Sequence, residues 1–360
     1  MKKLIIPFAI LSLVFGSCTH DNQVDPPQNN TLAETEQAVA ESFGNNIAMP
    51  LYTDLATVSD DLNTKIQNLI AAPSDANLAA AQTSWRNMRA VWELSEGFLF
   101  GPVEDNDYDP QTDTWPTDYS EMDSLLRSNN PLQPENVAQL DYTLRGYHPI
   151  EYMLWGKQST KSATSFTARE KTYVSALSVD LQSICSSLKN EWSGSYLTQI
   201  TTAGRGSTKF TTYQNFFLTL NNGMIDICNE VGKSDEGEEG KIYTPYINKD
   251  STLVESPYSE NSMIDFRNNI QGAYNVYLGK YKEQKTGLSN LVQLYNKDLD
   301  NRVRQKFETA ISSFNNVNVS FERAIYEQRE QLQVIMTAIA DVRSILSTEM
   351  QSFIVTNIKN

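Results

Sequence analysis

Toward the end of the chain Phe321, Ile325, Gln328, Leu332, Ile335, Ile339, Val342, Leu346, Met350 and Phe353 recur at steps of four and three. That spacing puts them on one stripe of a helix. A strand cannot bury such a stripe, because its side chains alternate with a period of two. The stretch predicts one long amphipathic helix packed in a bundle. Leu51, Leu55, Val58, Leu62, Ile66, Leu69 and Ile70 form a similar stripe. Pro73 ends it, and Ser74 offers an N-cap for a helix running to about Glu96. Further helical patterns cover 118–127, 134–145, 166–191 and 208–231. No stretch sustains the alternation of a strand, so the expected fold class is all-α. The polar segment 156–165 divides it into two helical bundles, 31–158 and 159–360, with long Pro-containing loops at 101–117 and 241–257.

Residues 1–17 read as an export address. Lys2 and Lys3 precede the apolar stretch 4–15, which suits a signal peptide and is too short to span a membrane. Gly16 and Ser17 before Cys18 resemble a bacterial lipobox, which implies cleavage before Cys18 and lipid on that residue. The expectation is a cell-envelope protein held to the membrane, the outer membrane in the first instance, through Cys18. Residues 18–30 are polar and contain Pro26 and Pro27, as in a flexible tether.

Composition removes several functions. The chain carries 29 Lys plus Arg against 44 Asp plus Glu, a net charge of −15. Nucleic-acid binders neutralise phosphates with clustered cations, so no nucleic-acid partner is expected. Two His exclude a three-histidine metal site, and three Cys exclude a four-cysteine zinc site. His20 falls in the tether, which leaves His148. Cys185 and Cys228 lie in consecutive helical patterns. In a helical hairpin they would stand roughly 20 Å apart, whereas a disulfide needs Cα atoms within about 7 Å. Two buried free thiols are expected.

The sharpest local feature is Gly146-Tyr147-His148-Pro149-Ile150-Glu151-Tyr152. Pro149 fits the first position of a helix, which would make His148 its N-cap and Glu151 its third residue. Both side chains would then share one helix mouth. Glu151 there could simply complement the helix dipole, or the pair could serve a metal or acid–base chemistry. The H-E-x-x-H pattern of zinc peptidases is absent. Two further clusters combine carboxylates with Pro-fixed loops. One holds Trp92, Glu93, Glu96, Phe98, Phe100, Gly101, Pro102, Trp115, Pro116 and Asp118. The other holds Glu255, Ser256, Pro257, Tyr258 and Ser259, followed by Asp265 and Asn269. Asp118 and Ser259 also suit plain helix caps.

Taken in this order, the segments resemble the imelysin family, often called imelysin-like peptidases. Its Gly-x-His-x-x-Glu motif is matched by Gly146, His148 and Glu151. FLFGP at 98–102 with TWPTD at 114–118, HPIEYMLWG at 148–156 and ESPYS at 255–259 are similar to its flanking segments. Met153 and Trp155 stand where Leu and Phe are usual. The resemblance implies two helical bundles with a cleft between them, and a role in uptake of iron or another metal alongside a contested peptidase label. It places Glu96, Asp118, His148, Glu151, Tyr152, Glu255, Ser256, Tyr258 and Ser259 at the cleft. His148, Glu151 and Glu96 are then the expected metal ligands, with iron or zinc as the ion and an envelope uptake component as partner. With a single His, metal or metal-complex binding is favoured over catalysis. The alternatives are a metallopeptidase using His148 and Glu151, and a non-catalytic scaffold binding another protein.

Overall fold

The structure, a computed structural model, describes residues 29–358 apart from 235, 236 and 238. Cys18, the signal segment and residues 19–28 of the tether lie outside the described residues. The fold is all-α; among the described residues the only β feature is an isolated bridge between Lys280 and Gln284. The helices that position the site are α1 (Asn29–Ser42), α2 (Met49–Ala71), α3 (Asp75–Glu93), α4 (Tyr108–Asp113), α5 (Tyr147–Trp155), α6 (Ala168–Glu191), α7 (Tyr213–Val231), α8 (Ser262–Leu278), α9 (Lys297–Ser313) and α10 (Arg329–Ile345).

The two apolar stripes both form core. Leu51, Leu55, Leu62, Ile66 and Leu69 of α2 are buried against α3 and α6. Full burial of each such side chain contributes about 1.5–3 kcal/mol. Ser74 caps α3, its hydroxyl accepting from the Asn77 amide. Polar contacts of Asn63 and Gln67 with Gln182 and Ser175 tie α6 to α2. The helix that follows segment 156–165 therefore packs with helices that precede it.

The long helix expected over 321–353 is interrupted. A short helix, Phe321–Glu327, stops at Gln328, and α10 then runs through a π-turn at Leu346–Met350 into Gln351–Asn357. The break falls at the one polar member of the stripe. The Gln328 amide donates to Asn318 Oδ1 at 2.6 Å and accepts from the Asn318 backbone at 3.0 Å, closing the preceding loop. The stripe still faces the core, with Phe321, Ile325, Leu332, Ile335, Ile339, Val342, Leu346 and Met350 buried.

Two other expectations change. Segment 134–145 forms only Pro134–Val137 and a 3-10 turn at Tyr142–Leu144, because the Asp141 carboxylate caps Thr143 and competes with helix propagation. The loop 101–117 contains a short helix at Pro102–Asp105 and then α4. Cys185 and Cys228 are buried free thiols. Burial pushes the Cys228 thiol up to about 12.

At the centre, a 3-10 turn at Glu96–Phe98 is held between α7 and α8. A Cβ on Gly272 would lie 2.4 Å from Leu94 O, and one on Gly223 2.5 Å from Gly97 O. Backbone approach this close needs glycine. It brings Glu93 and Glu96 against α8.

Candidate functional site

Helix α5 begins at Tyr147 with Gly146 as N-cap, so His148 lies inside its first turn rather than at the cap. Pro149 is tolerated as third residue because the first four amides of a helix lack helical partners. Gly146 has φ +86°, and a Cβ there would lie 2.2 Å from Thr112 O. The close approach of α4 delivers Asp113 to the imidazole.

His148 is completely buried. Its Nε2 lies 3.1 Å from Asp113 Oδ1 and 3.5 Å from Glu255 Oε1, while Nδ1 lies 3.8 Å from Glu151 Oε2. Neither ring nitrogen makes a hydrogen bond of regular geometry. Trp115 packs against the ring at 5.0 Å between centroids.

The loop after Val254 supplies the opposite wall. Ser256 and Glu260 adopt left-handed φ of +54° and +55°, which side-chain-bearing residues seldom hold. This conformation points the Tyr258 and Ser259 amides at Glu151. Its Oε1 accepts from Tyr258 N at 3.1 Å, Ser259 N at 2.7 Å and Ser259 Oγ at 2.6 Å. Ser256 Oγ donates to Asp265 Oδ2 at 2.9 Å. Both hydroxyls are thus committed to carboxylates.

Two cations hold the carboxylates together. Arg89 has no exposed surface. It makes close ion pairs with Glu93 and Asp113 and lies 3.3 Å from Glu255 and 3.7 Å from Asp265. Lys241 Nζ lies 3.2 Å from Glu255, 3.7 Å from Glu96 and 2.9 Å from Glu230. Trp92 Nε1 donates to Glu96 at 3.0 Å and Asp113 at 2.9 Å, and Asn269 Nδ2 donates to Glu96 at 2.9 Å.

These surroundings split the carboxylates. Burial pushes Asp113 up, but Arg89 and the contact with His148 outweigh it and hold the acid well below its ordinary value. Burial likewise opposes ionisation of Glu255, yet Lys241 and His148 bring it down to about 2. Burial wins for Glu93 and Glu96, which rise well above normal, and for Asp265, raised to about 6. Burial disfavours charge on His148, but contacts with Asp113, Glu151 and Glu255 raise it overall. Environments that drive neighbouring groups apart in this way mark functional clusters.

Most of the expected residues converge, with corrections. Glu96, His148, Glu151, Glu255, Ser256 and Ser259 join the buried cluster, and Tyr258 contributes its amide. Tyr152 sits half-buried beside it, 4.9 Å from the Tyr119 ring and 5.2 Å from that of Tyr258. Asp118 does not join: it is exposed and caps Tyr119–Arg127 by accepting from the Glu121 amide. The expected ligands His148, Glu151 and Glu96 are not brought together around one point. Glu151 faces Nδ1, whereas Glu96 is tied to Trp92, Asn269 and Lys241. Among the described residues, the triads whose potential ligand atoms lie within 4.8 Å of one another are Asp113, His148 and Glu255, and Glu93, Glu96 and Asp113. Sequence reasoning missed Arg89, Asp113 and Lys241 as site residues. Only Arg89 carries a signal, a cation on the apolar stripe of Trp85, Met88 and Trp92.

Trp115 and Lys241 also line a cleft of about 640 Å³, together with Pro116, Glu230, Pro245 and Leu253. They stand where the buried cluster meets open space.

The imelysin family model (peptidase M75) matches residues 48–348. Iron-regulated protein A of Synechococcus elongatus is 27% identical over 325 residues, covering 88% of this chain and 86% of that protein. A crystal structure from Parabacteroides distasonis, carrying the name iron-regulated protein A precursor, is similar with a TM-score of 0.79 and 25% identity. That similarity covers 89% of this chain and 95% of the other. An imelysin-like protein from Psychrobacter arcticum shares the fold with a TM-score of 0.72 at 15% identity, covering 92% and 98%. With the family model matched over most of its length, the chain belongs to the imelysin family.

Proposed function

We propose that this protein binds an iron ion, or a similar transition-metal ion, through Asp113, His148 Nε2 and Glu255. The observation that carries the reading is a fully buried imidazole whose nitrogens lack regular hydrogen bonds, with Nε2 flanked by the carboxylates of Asp113 and Glu255 at 3.1 and 3.5 Å. One imidazole with two carboxylates is a donor set for iron, manganese or zinc. Glu151, anchored by three donors on one oxygen, faces Nδ1 with the other. That is how carboxylates orient metal-binding imidazoles from behind.

The name iron-regulated protein A, borne by two relatives, favours iron as cargo. Metal handling is favoured over peptide hydrolysis because Glu151 is held as an orienting group, and because Arg89 and Lys241 compete for the acids that would activate a water. The lipobox-like segment at Cys18 supports an envelope location with a lipid anchor, and an uptake component there is the natural partner. Metal content after loading with ferrous ion under anaerobic conditions tests the reading. The wild type should retain stoichiometric iron, and His148→Ala and Asp113→Asn should each lose it. A folded wild type that takes up no iron at micromolar concentration defeats it. Chelator-sensitive peptide hydrolysis lost in Glu151→Ala would establish the peptidase instead.

A further inference from the structure

Within the cluster, five carboxylates (Glu93, Glu96, Asp113, Glu255 and Asp265) face two cations that are held very differently. Arg89 is enclosed, and its planar guanidinium serves several acids at once. Lys241 reaches in from the cleft wall on a flexible stem, and its side chain keeps 17% exposure. Its backbone is fixed, the Lys241 amide donating to Glu230 O at 2.7 Å and the Ile242 amide to Val231 O at 3.0 Å. Its ammonium has inner partners, Glu255 and Glu96, and one outer partner, the 47% exposed Glu230 at 2.9 Å. An ion on Asp113, His148 and Glu255 would compete with that ammonium for Glu255.

We propose that Lys241 is a displaceable counter-ion: its ammonium neutralises Glu255 until a metal cation arrives through the cleft, then withdraws to Glu230. The proposal rests on the metal-binding reading above. The withdrawal needs no loop movement, because the outer seat is already in contact. Exchange of one cation for another keeps the acids compensated in both states, which buried carboxylates require. Lys241 therefore sets the affinity of the site and the ease of release.

Calorimetric titration with ferrous ion under anaerobic conditions tests this on the wild type, Lys241→Met, Glu230→Gln and the double variant. Lys241→Met should bind about tenfold tighter, the scale of one partly screened charge contact, and Glu230→Gln about threefold weaker. In the Lys241→Met background, Glu230→Gln should have no further effect, since the two act as a pair. Metal-free Lys241→Met should also melt at a lower temperature than the wild type. Equal or weaker binding by folded Lys241→Met overturns the proposal, as does a Glu230→Gln effect that persists in the double variant. Should Lys241→Met fail to fold, unchanged affinity in Glu230→Gln, which alters only a half-exposed acid, overturns it alone. His148-dependent binding indifferent to Lys241 defeats only this proposal. Absence of binding in every protein defeats the metal reading as well.

Discussion

Arg89 meets four carboxylates with no exposed surface, and its stacking over Tyr147, 5.0 Å from the ring centroid, fixes its plane. Removing one partner from a buried ionic network leaves charge that water cannot reach, at a cost of about 3–5 kcal/mol. Arg89→Met should lose that much stability in urea denaturation at neutral pH. A loss below about 1 kcal/mol would show that the acids relax into protonated forms without it. At this scale the sequence was partly legible. His148, Glu151 and Glu255 stand in recognisable segments, and Arg89 betrays itself as a charge on an apolar stripe. Asp113 does not, because a lone Asp in a Pro-containing loop gains meaning only when α4 folds onto α5. Asp118 misled for the converse reason: its segment resembles the family pattern, while its carboxylate caps a surface helix.

Elements position these residues through contacts of backbone with backbone. The Gly146–Thr112 approach places α4 on α5, as Gly97, Gly223 and Gly272 place the turn carrying Glu96 between α7 and α8. Gly146→Ala should cost about 1–3 kcal/mol for the positive φ and the clash together. It should also weaken iron binding by moving Asp113 off His148. Unchanged melting temperature and unchanged affinity would contradict that role. Periodicity located α2, α3 and the C-terminal core stripe, because apolar spacing survives whatever the tertiary contacts are. It failed at Gln328 and over 134–145, where side-chain amides and carboxylates satisfy the backbone in place of the helix ladder. The helix start at Tyr147 rather than Pro149 belongs here too, since proline is accommodated anywhere among the unpartnered first amides.

Over the whole molecule, helices from distant parts of the chain enclose one acidic cluster. α3 brings Arg89 and Glu93, α4 brings Asp113, α5 brings His148 and Glu151, and α8 brings Asp265 and Asn269. The chain's excess of acid over base, −15, draws cations toward its surface without selecting among them. On the proposed reading, selection would fall to the cluster and to the cleft that reaches it past Trp115 and Lys241. The all-α class was legible from periodicity; the enclosure was not, because it depends on which helices meet. The central claim is tested most directly by anomalous diffraction at the iron edge from crystals grown with ferrous ion. A single strong peak is expected within coordinating distance of His148 Nε2, Asp113 and Glu255. A peak beside Glu151 on the Nδ1 side, or no ordered iron in a loaded crystal, would contradict it.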